Sequence, residues 1–222
     1  MHENTTDATG NGDHNAPLAR VLSVNVGRVR EIEWRGELVT TGIWKYPVAG
    51  RVALRGVNFE GDDQADRTVH GGPDKAVYAY AREDYDFWRE HEALDTSPGL
   101  FGENLTLDGI DLSAAFVGEQ WSVGSTVLEV AQPRQPCFKL GIRMGDARFP
   151  KRFLAALRMG AYLRVVQEGD VGVEDIVRVL SRPSHGVTLR SMTDALRDPR
   201  KAEALRQVPR LPEFWRHVAQ GR

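Results

Sequence analysis

The feature of this sequence that most limits its possible folds is a series of short β-rich segments near the N-terminus. Residues 21–26, 29–34 and 37–41 each read as a strand, and an Arg35-Gly36 pair between the last two is typical of a hairpin turn. Closely spaced short strands without intervening helices are typical of a β-barrel or sandwich, and they differ from the alternating elements of βαβ proteins. The sequence therefore predicts a mainly β domain.

Helical patterns follow the strands. Residues 83–94 place Tyr85, Trp88 and His91 at helical spacing, which predicts an aromatic stripe packed on the β domain. Residues 150–159 form a second pattern, and three short helices are predicted after residue 187, two of them beginning at prolines. We therefore expect an α+β chain with a flexible polar tail (1–16), a β-barrel domain with flanking helices (17–181) and a small three-helix domain (187–222).

Composition narrows the class of protein. A formal net charge of −2 over 222 residues gives no support to nucleic-acid binding. The single cysteine excludes an intrachain disulfide, a four-cysteine zinc site and an iron–sulfur cluster held by this chain alone. No apolar run is long enough to span a bilayer, and the polar N-terminus lacks a signal-peptide pattern. We expect a cytoplasmic protein without a nucleic-acid or membrane partner.

That cysteine, Cys137, follows two prolines and lies between two cations, Arg134 and Lys139. Prolines at 133 and 136 restrict the backbone, which predicts a rigid, non-helical loop after a strand at residues 125–130. Cationic neighbours favour the thiolate, which is the form that acts as a nucleophile or as a soft-metal ligand. A buried cysteine that only fills space is the alternative. The charged and proline neighbours favour the functional role.

Two further segments carry side chains that could contact a ligand. Residues 70–75 form a tight Gly-Gly-Pro turn between His70 and Lys75, and backbone N–H groups of such turns can approach a ligand closely. A plain loop with a surface histidine and lysine explains the same pattern. Glu103 and Asn104 lie between apolar neighbours, so one of them is expected to point inward toward a polar partner. Capping of a turn and contact with a ligand are both compatible with that position.

Four segments, in this order, resemble the MOSC-domain proteins of the YiiM type, a family named after the C-terminal part of molybdenum-cofactor sulfurase. The resemblance covers about residues 20–180, and the C-terminal helices resemble the three-helix domain that follows MOSC in that subgroup. The segments are Thr41-Gly42-Ile43-x-Lys45, His70-Gly71-Gly72-Pro73-Asp74-Lys75-Ala76, Phe101-Gly102-Glu103-Asn104-Leu105 and Gln132-Pro133-Arg134-x-Pro136-Cys137-x-Lys139-Leu140.

The resemblance implies a barrel-like domain that binds molybdenum cofactor (Mo-molybdopterin), with Cys137 as the catalytic residue and the metal's sulfur ligand. Cations must meet the terminal phosphate of the pterin, and the candidates are Lys45, Lys75 and Arg134, of which Arg134 is the best suited to a bidentate contact. Pyridoxal phosphate binding is a further property that the resemblance implies. The implied cofactor-binding residues are Lys45, His70, Lys75, Asn104, Arg134 and Lys139.

Two functions from different classes fit these residues. The resemblance implies a molybdenum-dependent oxidoreductase that reduces small N-hydroxylated compounds to amines. Because the chain has neither a GxGxxG flavin fingerprint nor cysteines for a cluster, a separate electron-donor protein is expected. The alternative is a carrier that hands over sulfur or cofactor, with a persulfide on Cys137. A binding module without cofactor is the remaining possibility.

Overall fold

The computed structural model describes residues 18–65 and 71–221. They form thirteen strands, five α-helices and three 3-10 helices. The strands are β1 Arg20–Val26, β2 Arg30–Trp34, β3 Glu37–Thr41, β4 Tyr46–Pro47, β5 Val52–Arg55, β6 Asn58–Phe59, β7 Val77–Ala81, β8 Leu105–Asp108, β9 Gln120–Val123, β10 Thr126–Pro133, β11 Ala161–Gln167, β12 Gly169–Val171 and β13 Val177–Ser181.

The helices lie around these strands. The α-helices are α1 Arg82–Glu92, α2 Phe138–Arg143, α3 Phe149–Ala156, α4 Leu189–Arg197 and α5 Glu213–Ala219, and the 3-10 helices are Pro73–Lys75, Leu112–Ala114 and Pro199–Gln207. Among the described residues, no helix is long and apolar enough to cross a membrane.

Eight strands form one large sheet in the order β13-β9-β10-β11-β7-β8-β1-β4. All its neighbours are antiparallel except β7 and β8, which are parallel. The sheet curls so that β1 approaches the start of β13. Arg20 of β1 pairs with Ile176 just before β13, and the backbone N–H of Val177 donates to the carbonyl of Ala19 at 2.8 Å. A mainly β, barrel-like arrangement with flanking helices is thus confirmed.

Two smaller sheets complete the β structure. The predicted hairpin is present as β2 and β3, and Arg35 and Gly36 at its turn have φ angles of 54° and 81°. Glycine adopts such angles at no steric cost, which explains its place in the turn. Strands β12, β5 and β6 form the other small sheet. Strand β4 has only two residues, Tyr46 and Pro47, which pair with Val26 and Asn25 of β1.

The apolar interior consists of two clusters. One fills the inside of the curled sheet and includes Trp121 and Leu163. The other is aromatic and packs α1 and α3 on the sheet, with Trp88 and Phe153 stacked at 5.7 Å between ring centroids. His91, which the sequence placed on this aromatic stripe, is exposed, so that part of the prediction is wrong.

The C-terminal segment folds into three short helices where the sequence predicted them. The middle one is a 3-10 helix over Pro199–Gln207. Their buried side chains, including Met192 and Trp215, belong to the same cluster as the interior of the sheet. The separate domain that the sequence predicts from residue 187 stays a prediction. The predicted tail at residues 1–16 lies outside the described residues.

Candidate functional site

A cleft lies where the end of β3, the start of β7 and the segment after β10 meet. Six of the seven residues that the sequence singled out line this cleft together, although they are far apart in the chain. The seventh, His70, lies outside the described residues. The six are Lys45, Lys75, Asn104, Arg134, Cys137 and Lys139.

The cysteine reaches the cleft because a strand delivers it there. Strand β10 continues to Pro133, three residues beyond the predicted end, and Pro133 pairs with Ala161 of β11. Cys137 then has an extended backbone (φ −120°, ψ 175°) and directly precedes α2. The predicted non-helical loop is therefore present but short, and its half-buried thiol faces the cleft.

A buried network holds one wall of the cleft. Lys45 is only 6% exposed and forms an ion pair with the Oδ1 atom of Asp62. The same carboxylate accepts the backbone N–H of Gly27 at 2.9 Å and the side-chain N–H of Asn104 at 2.8 Å. Burial lowers the pKa of Lys45, and the charge of Asp62 opposes this change. The charge of Lys45 is therefore balanced within the protein.

Asn104 and its neighbour Glu103 both point inward, whereas the sequence required only one to do so. The Oδ1 atom of Asn104 accepts the backbone N–H of Tyr78 at 3.1 Å. The Oε1 atom of Glu103 accepts hydrogen bonds from the Tyr85 hydroxyl and the Gly99 N–H, both at 2.6 Å. Glu103 thus fixes a turn, whereas Asn104 joins two walls and lines the cleft.

Arg134 is part of the interior rather than of the surface. It is 6% exposed, donates to the carbonyl of Phe101, and its guanidinium carbon lies 4.7 Å from the centroid of the Tyr78 ring. Burial raises the pKa values of Tyr78 and Tyr162, so both phenols stay protonated at neutral pH. Arg134 thus supports an aromatic wall, since both tyrosines line the cleft and their ring centroids are 5.2 Å apart.

Lys75, Lys139 and Gln64 also line the cleft, and all three are partly exposed. Lys139 is half-buried and lies two residues beyond the thiol. The Gln64 side chain donates to the carbonyl of Lys75 at 3.2 Å, while its buried Oε1 atom has no hydrogen-bond partner among the described residues. A buried acceptor without a donor is costly unless a ligand or water completes it. Gln64 is therefore a candidate ligand contact.

Replacing Asp62 by asparagine is expected to cost about 3–5 kcal/mol, because it leaves the buried Lys45 ammonium without its counter-charge. The new amide would also face the Asn104 N–H, which needs an acceptor. Urea unfolding measures the loss. The double variant Asp62→Asn with Lys45→Met should be more stable, by at least about 1 kcal/mol, than the sum of the two single losses predicts. A loss equal to that sum would contradict the pairing.

Glu103 gives the fold a pH dependence that can be measured. Burial raises its pKa despite its hydrogen bonds, and its second oxygen, Oε2, is buried without a partner among the described residues. A raised folded-state pKa contributes stability that is present below the unfolded pKa of about 4.3 and is lost as pH rises through the folded value. Urea unfolding at pH 4–8 should therefore show the wild type losing stability relative to Glu103→Gln as pH rises. The exposed Glu90→Gln variant is the control, and a pH-independent difference for Glu103→Gln would contradict the assignment.

The chemistry of this cleft follows from its donor set. It combines one thiol with four lysine or arginine side chains and two carboxylates, Asp62 and Asp63. Among the residues that the structure describes, no three His, Cys, Asp or Glu side chains are grouped to hold a bare metal ion. A thiol beside several cations suits an anionic ligand that needs one soft donor. The fold and site thus define a mainly β protein with a cationic cleft that contains one thiol.

This chain belongs to the MOSC domain family, whose model matches residues 66–178. YflK, an uncharacterized protein of Bacillus subtilis, is 39% identical over 170 residues, or 77% of each chain. YiiM of Escherichia coli is 34% identical over 148 residues, covering 65% of this chain and 66% of that protein. A protein of Gibberella moniliformis named reductase is 33% identical over 169 residues, which cover 73% of this chain but only 29% of that protein.

Solved structures support the YiiM type within this family. The crystal structure of YiiM from Geobacillus stearothermophilus has a TM-score of 0.74 and 29% identity, covering 91% of this chain and 98% of that one. The crystal structure of Escherichia coli YiiM has a TM-score of 0.71 and 26% identity, covering 93% of this chain and 92% of that one. The resemblance expected from the four sequence segments is therefore confirmed.

Proposed function

We propose that this protein binds molybdenum cofactor in the cleft and uses it to reduce small N-hydroxylated compounds to amines. The observation that carries the proposal is the meeting of the Cys137 thiol with Lys75, Arg134 and Lys139 in one cleft. Membership of the MOSC family and the similarity to a fungal protein named reductase support it. That similarity covers 29% of the fungal protein.

The side chains of the cleft fit the cofactor in two respects. The thiol is a soft donor of the kind that suits a metal already held by the sulfur atoms of a pterin. The unsatisfied Oε1 atom of Gln64 is an acceptor, and the pterin ring has N–H donors that could meet it.

Each wall of the cleft has a distinct role in this proposal. Cys137 would be the protein's ligand to the metal, and the partly exposed Lys75 and Lys139 would bind the phosphate of the pterin. Asn104 holds two walls of the cleft together through its hydrogen bonds. Arg134 and Lys45 act mainly by positioning, since both are buried and engaged with protein groups.

The bound cofactor would supply two-electron reduction of the N–OH group. Conversion of R–NH–OH to R–NH₂ consumes two electrons and two protons and releases one water. We expect the electrons to come from a separate donor protein. The sequence has no flavin fingerprint, and its single cysteine is too few to hold an iron–sulfur cluster. The predicted cytoplasmic location agrees with such a donor. Pyridoxal phosphate binding also stays a prediction for this anion-compatible cleft.

The direct test is anaerobic turnover of an N-hydroxylated purine by protein produced in a host that makes molybdenum cofactor. Reduced benzyl viologen serves as the donor, and metal content is measured on the same sample by mass spectrometry. We expect stoichiometric molybdenum and formation of the amine. Protein that carries molybdenum and gives no amine with several N-hydroxylated compounds would contradict the proposed reaction.

A carrier of sulfur or cofactor is the second candidate, and the half-buried Cys137 thiol in an open cleft is the observation that favours it. A persulfide on this residue would need the same accessible sulfur but no room for an N-hydroxylated substrate. Intact-protein mass spectrometry separates the two functions. A sulfur adduct on freshly purified protein that lacks molybdenum would favour the carrier.

A further inference from the structure

The rim of the cleft carries a surface on which two arginines stack against one tryptophan. The guanidinium carbon of Arg30 lies 5.1 Å from the Trp44 ring centroid, and that of Arg143 lies 5.7 Å from it. Arg30 also lies 5.9 Å from the ring of Tyr46, which is 52% exposed. Arg30, Trp44, Tyr46 and Arg143 are called the arginine–tryptophan surface below.

This surface borders the cleft that contains Cys137. Trp44 lies between Ile43 and Lys45, and both of these neighbours line the cleft. Arg143 is four residues after Lys139 on α2, and residues at this spacing share one face of a helix. Because Lys139 also lines the cleft, the surface meets it along the 43–45 segment and along α2. A protein bound there would lie beside the opening to the thiol.

The charges of this surface are available to a partner. Arg152 and Arg164 each pair with carboxylates elsewhere in the described chain, whereas no ion pair of the described residues includes Arg30 or Arg143. The Arg143 side chain is held by Trp44 and by a hydrogen bond to the Leu100 carbonyl at 3.2 Å. Guanidinium groups that are already oriented lose less conformational freedom on binding a carboxylate.

The residue types also match those of protein interfaces. Tryptophan, tyrosine and arginine are enriched at interface centres and among the residues that contribute most to binding energy. The protein as a whole has a formal net charge of −2, so a local cationic surface would direct an acidic partner to this face. An extended nucleic acid would need more cations than these two arginines provide.

We propose that the arginine–tryptophan surface docks an acidic electron-carrier protein, which delivers electrons to the adjacent cleft. This inference rests on the proposed reductase function. Two molecules of a one-electron carrier are oxidised for each N–OH group reduced, and the two protons come from solvent. Carboxylates of the carrier would meet Arg30 and Arg143, and the aromatic rings between them would exclude water from the contact.

Charge reversal at these arginines tests the docking. The probe is a strongly acidic [2Fe–2S] ferredoxin, and the variants are Arg30→Glu and Arg143→Glu in the full chain. Arg178→Glu, on exposed β13, is the matched control because its arginine also has no ion pair among the described residues. Ferredoxin affinity is measured by titration, and turnover is measured with reduced ferredoxin and with reduced benzyl viologen.

We expect each surface variant to lose about tenfold in ferredoxin affinity and in ferredoxin-driven turnover at low salt, with little loss for Arg178→Glu. The difference should shrink in about 0.5 M salt, where screening is strong. Turnover with viologen should persist in all three variants. Equal ferredoxin affinity and turnover in all three would overturn the docking surface while leaving the reductase function intact.

Other outcomes separate the two proposals further. Absence of turnover with every donor, in protein that carries molybdenum, overturns the reductase function and the docking inference with it. Arginine-dependent binding of a single-stranded oligonucleotide, without binding of ferredoxin, would assign the surface to nucleic acid and overturn the protein partner. Loss of viologen turnover in Arg30→Glu or Arg143→Glu would show that the arginine maintains the cleft itself. That result would overturn its assignment to docking.

Discussion

Replacing Cys137 by serine is expected to abolish molybdenum retention and turnover while leaving the fold almost unchanged. The half-buried thiol lies at the cleft and outside both apolar clusters, so its loss removes a soft donor without opening a cavity. The melting temperature should stay close to that of the wild type, since substitutions away from the core usually change stability by about 0.5 kcal/mol or less. Molybdenum content and amine formation are measured on the same preparation.

The adjacent residue provides the control for this substitution. Phe138 is 56% exposed, so Phe138→Ser alters the same short segment without removing the sulfur. We expect this control to keep both molybdenum and activity. A Cys137→Ser protein that retains both would remove the cysteine from the mechanism. A loss of several kcal/mol in stability would instead favour a cysteine that serves only to pack.

Several elements were predictable from local sequence. The Arg35-Gly36 turn fixed the β2–β3 hairpin because its backbone angles favour glycine, and prolines 199 and 212 marked the starts of C-terminal helical segments. An inward position for one of Glu103 and Asn104 followed from polar side chains between apolar neighbours, and the structure buries both. Each of these signals depends on residues close together in the chain, which is why sequence alone could carry it.

The buried network around Lys45 was not predictable in this way. Asp62 belongs to a polar, acidic stretch that resembles an ordinary surface loop, and nothing in its neighbours indicates that it is 2% exposed at the side chain. Its partners, Gly27 and Asn104, are 35 and 42 residues away. Tyr78 and Tyr162, which line the cleft, were missed for a similar reason. The alternation of side chains along a strand does not distinguish a residue that faces the core from one that faces a ligand.

Arg134 shows the limit of reasoning from residue type. A charged residue between two prolines suggests an exposed loop, yet the preceding strand continues to Pro133 and carries Arg134 into the interior. A guanidinium can be buried because Phe101 offers a carbonyl and Tyr78 offers a ring face. Lys75 and Lys139, which line the cleft and are partly exposed, are therefore better candidates for the phosphate than Arg134.

The C-terminal helices contact the site through hydrogen bonds as well as through packing. The indole N–H of Trp215 donates to Gln132 at 3.1 Å, and the Gln132 amide donates to the carbonyl of Asp74 at 3.3 Å. Arg164 joins the same region, since it pairs with Asp74 and donates to the carbonyl of Arg210 at 2.6 Å. These helices thus brace strand β10 and the turn that ends at Lys75.

Removing residues 187–222 is expected to prevent cooperative folding of the remaining chain. The deletion exposes the part of the sheet interior that now packs on Leu189, Met192, Leu205 and Trp215, each at most 1% exposed. A single truncation at the centre of this contact, Trp215→Ala, should cost about 3–5 kcal/mol, while Trp215→Phe should cost less because the ring burial is kept. Urea unfolding monitored by circular dichroism measures all three variants.

A matched deletion at the other end separates packing from chain length. Residues 1–16 form a polar segment with little apolar surface to bury, so their removal should leave the melting temperature nearly unchanged. If the chain that ends at residue 186 instead unfolds cooperatively with near-native stability, the helices form an independent domain, and the boundary predicted from the sequence is physical. We expect the shortened chain not to unfold cooperatively. One continuous apolar cluster joins the helices to the sheet, so separating the two parts would expose apolar side chains of both.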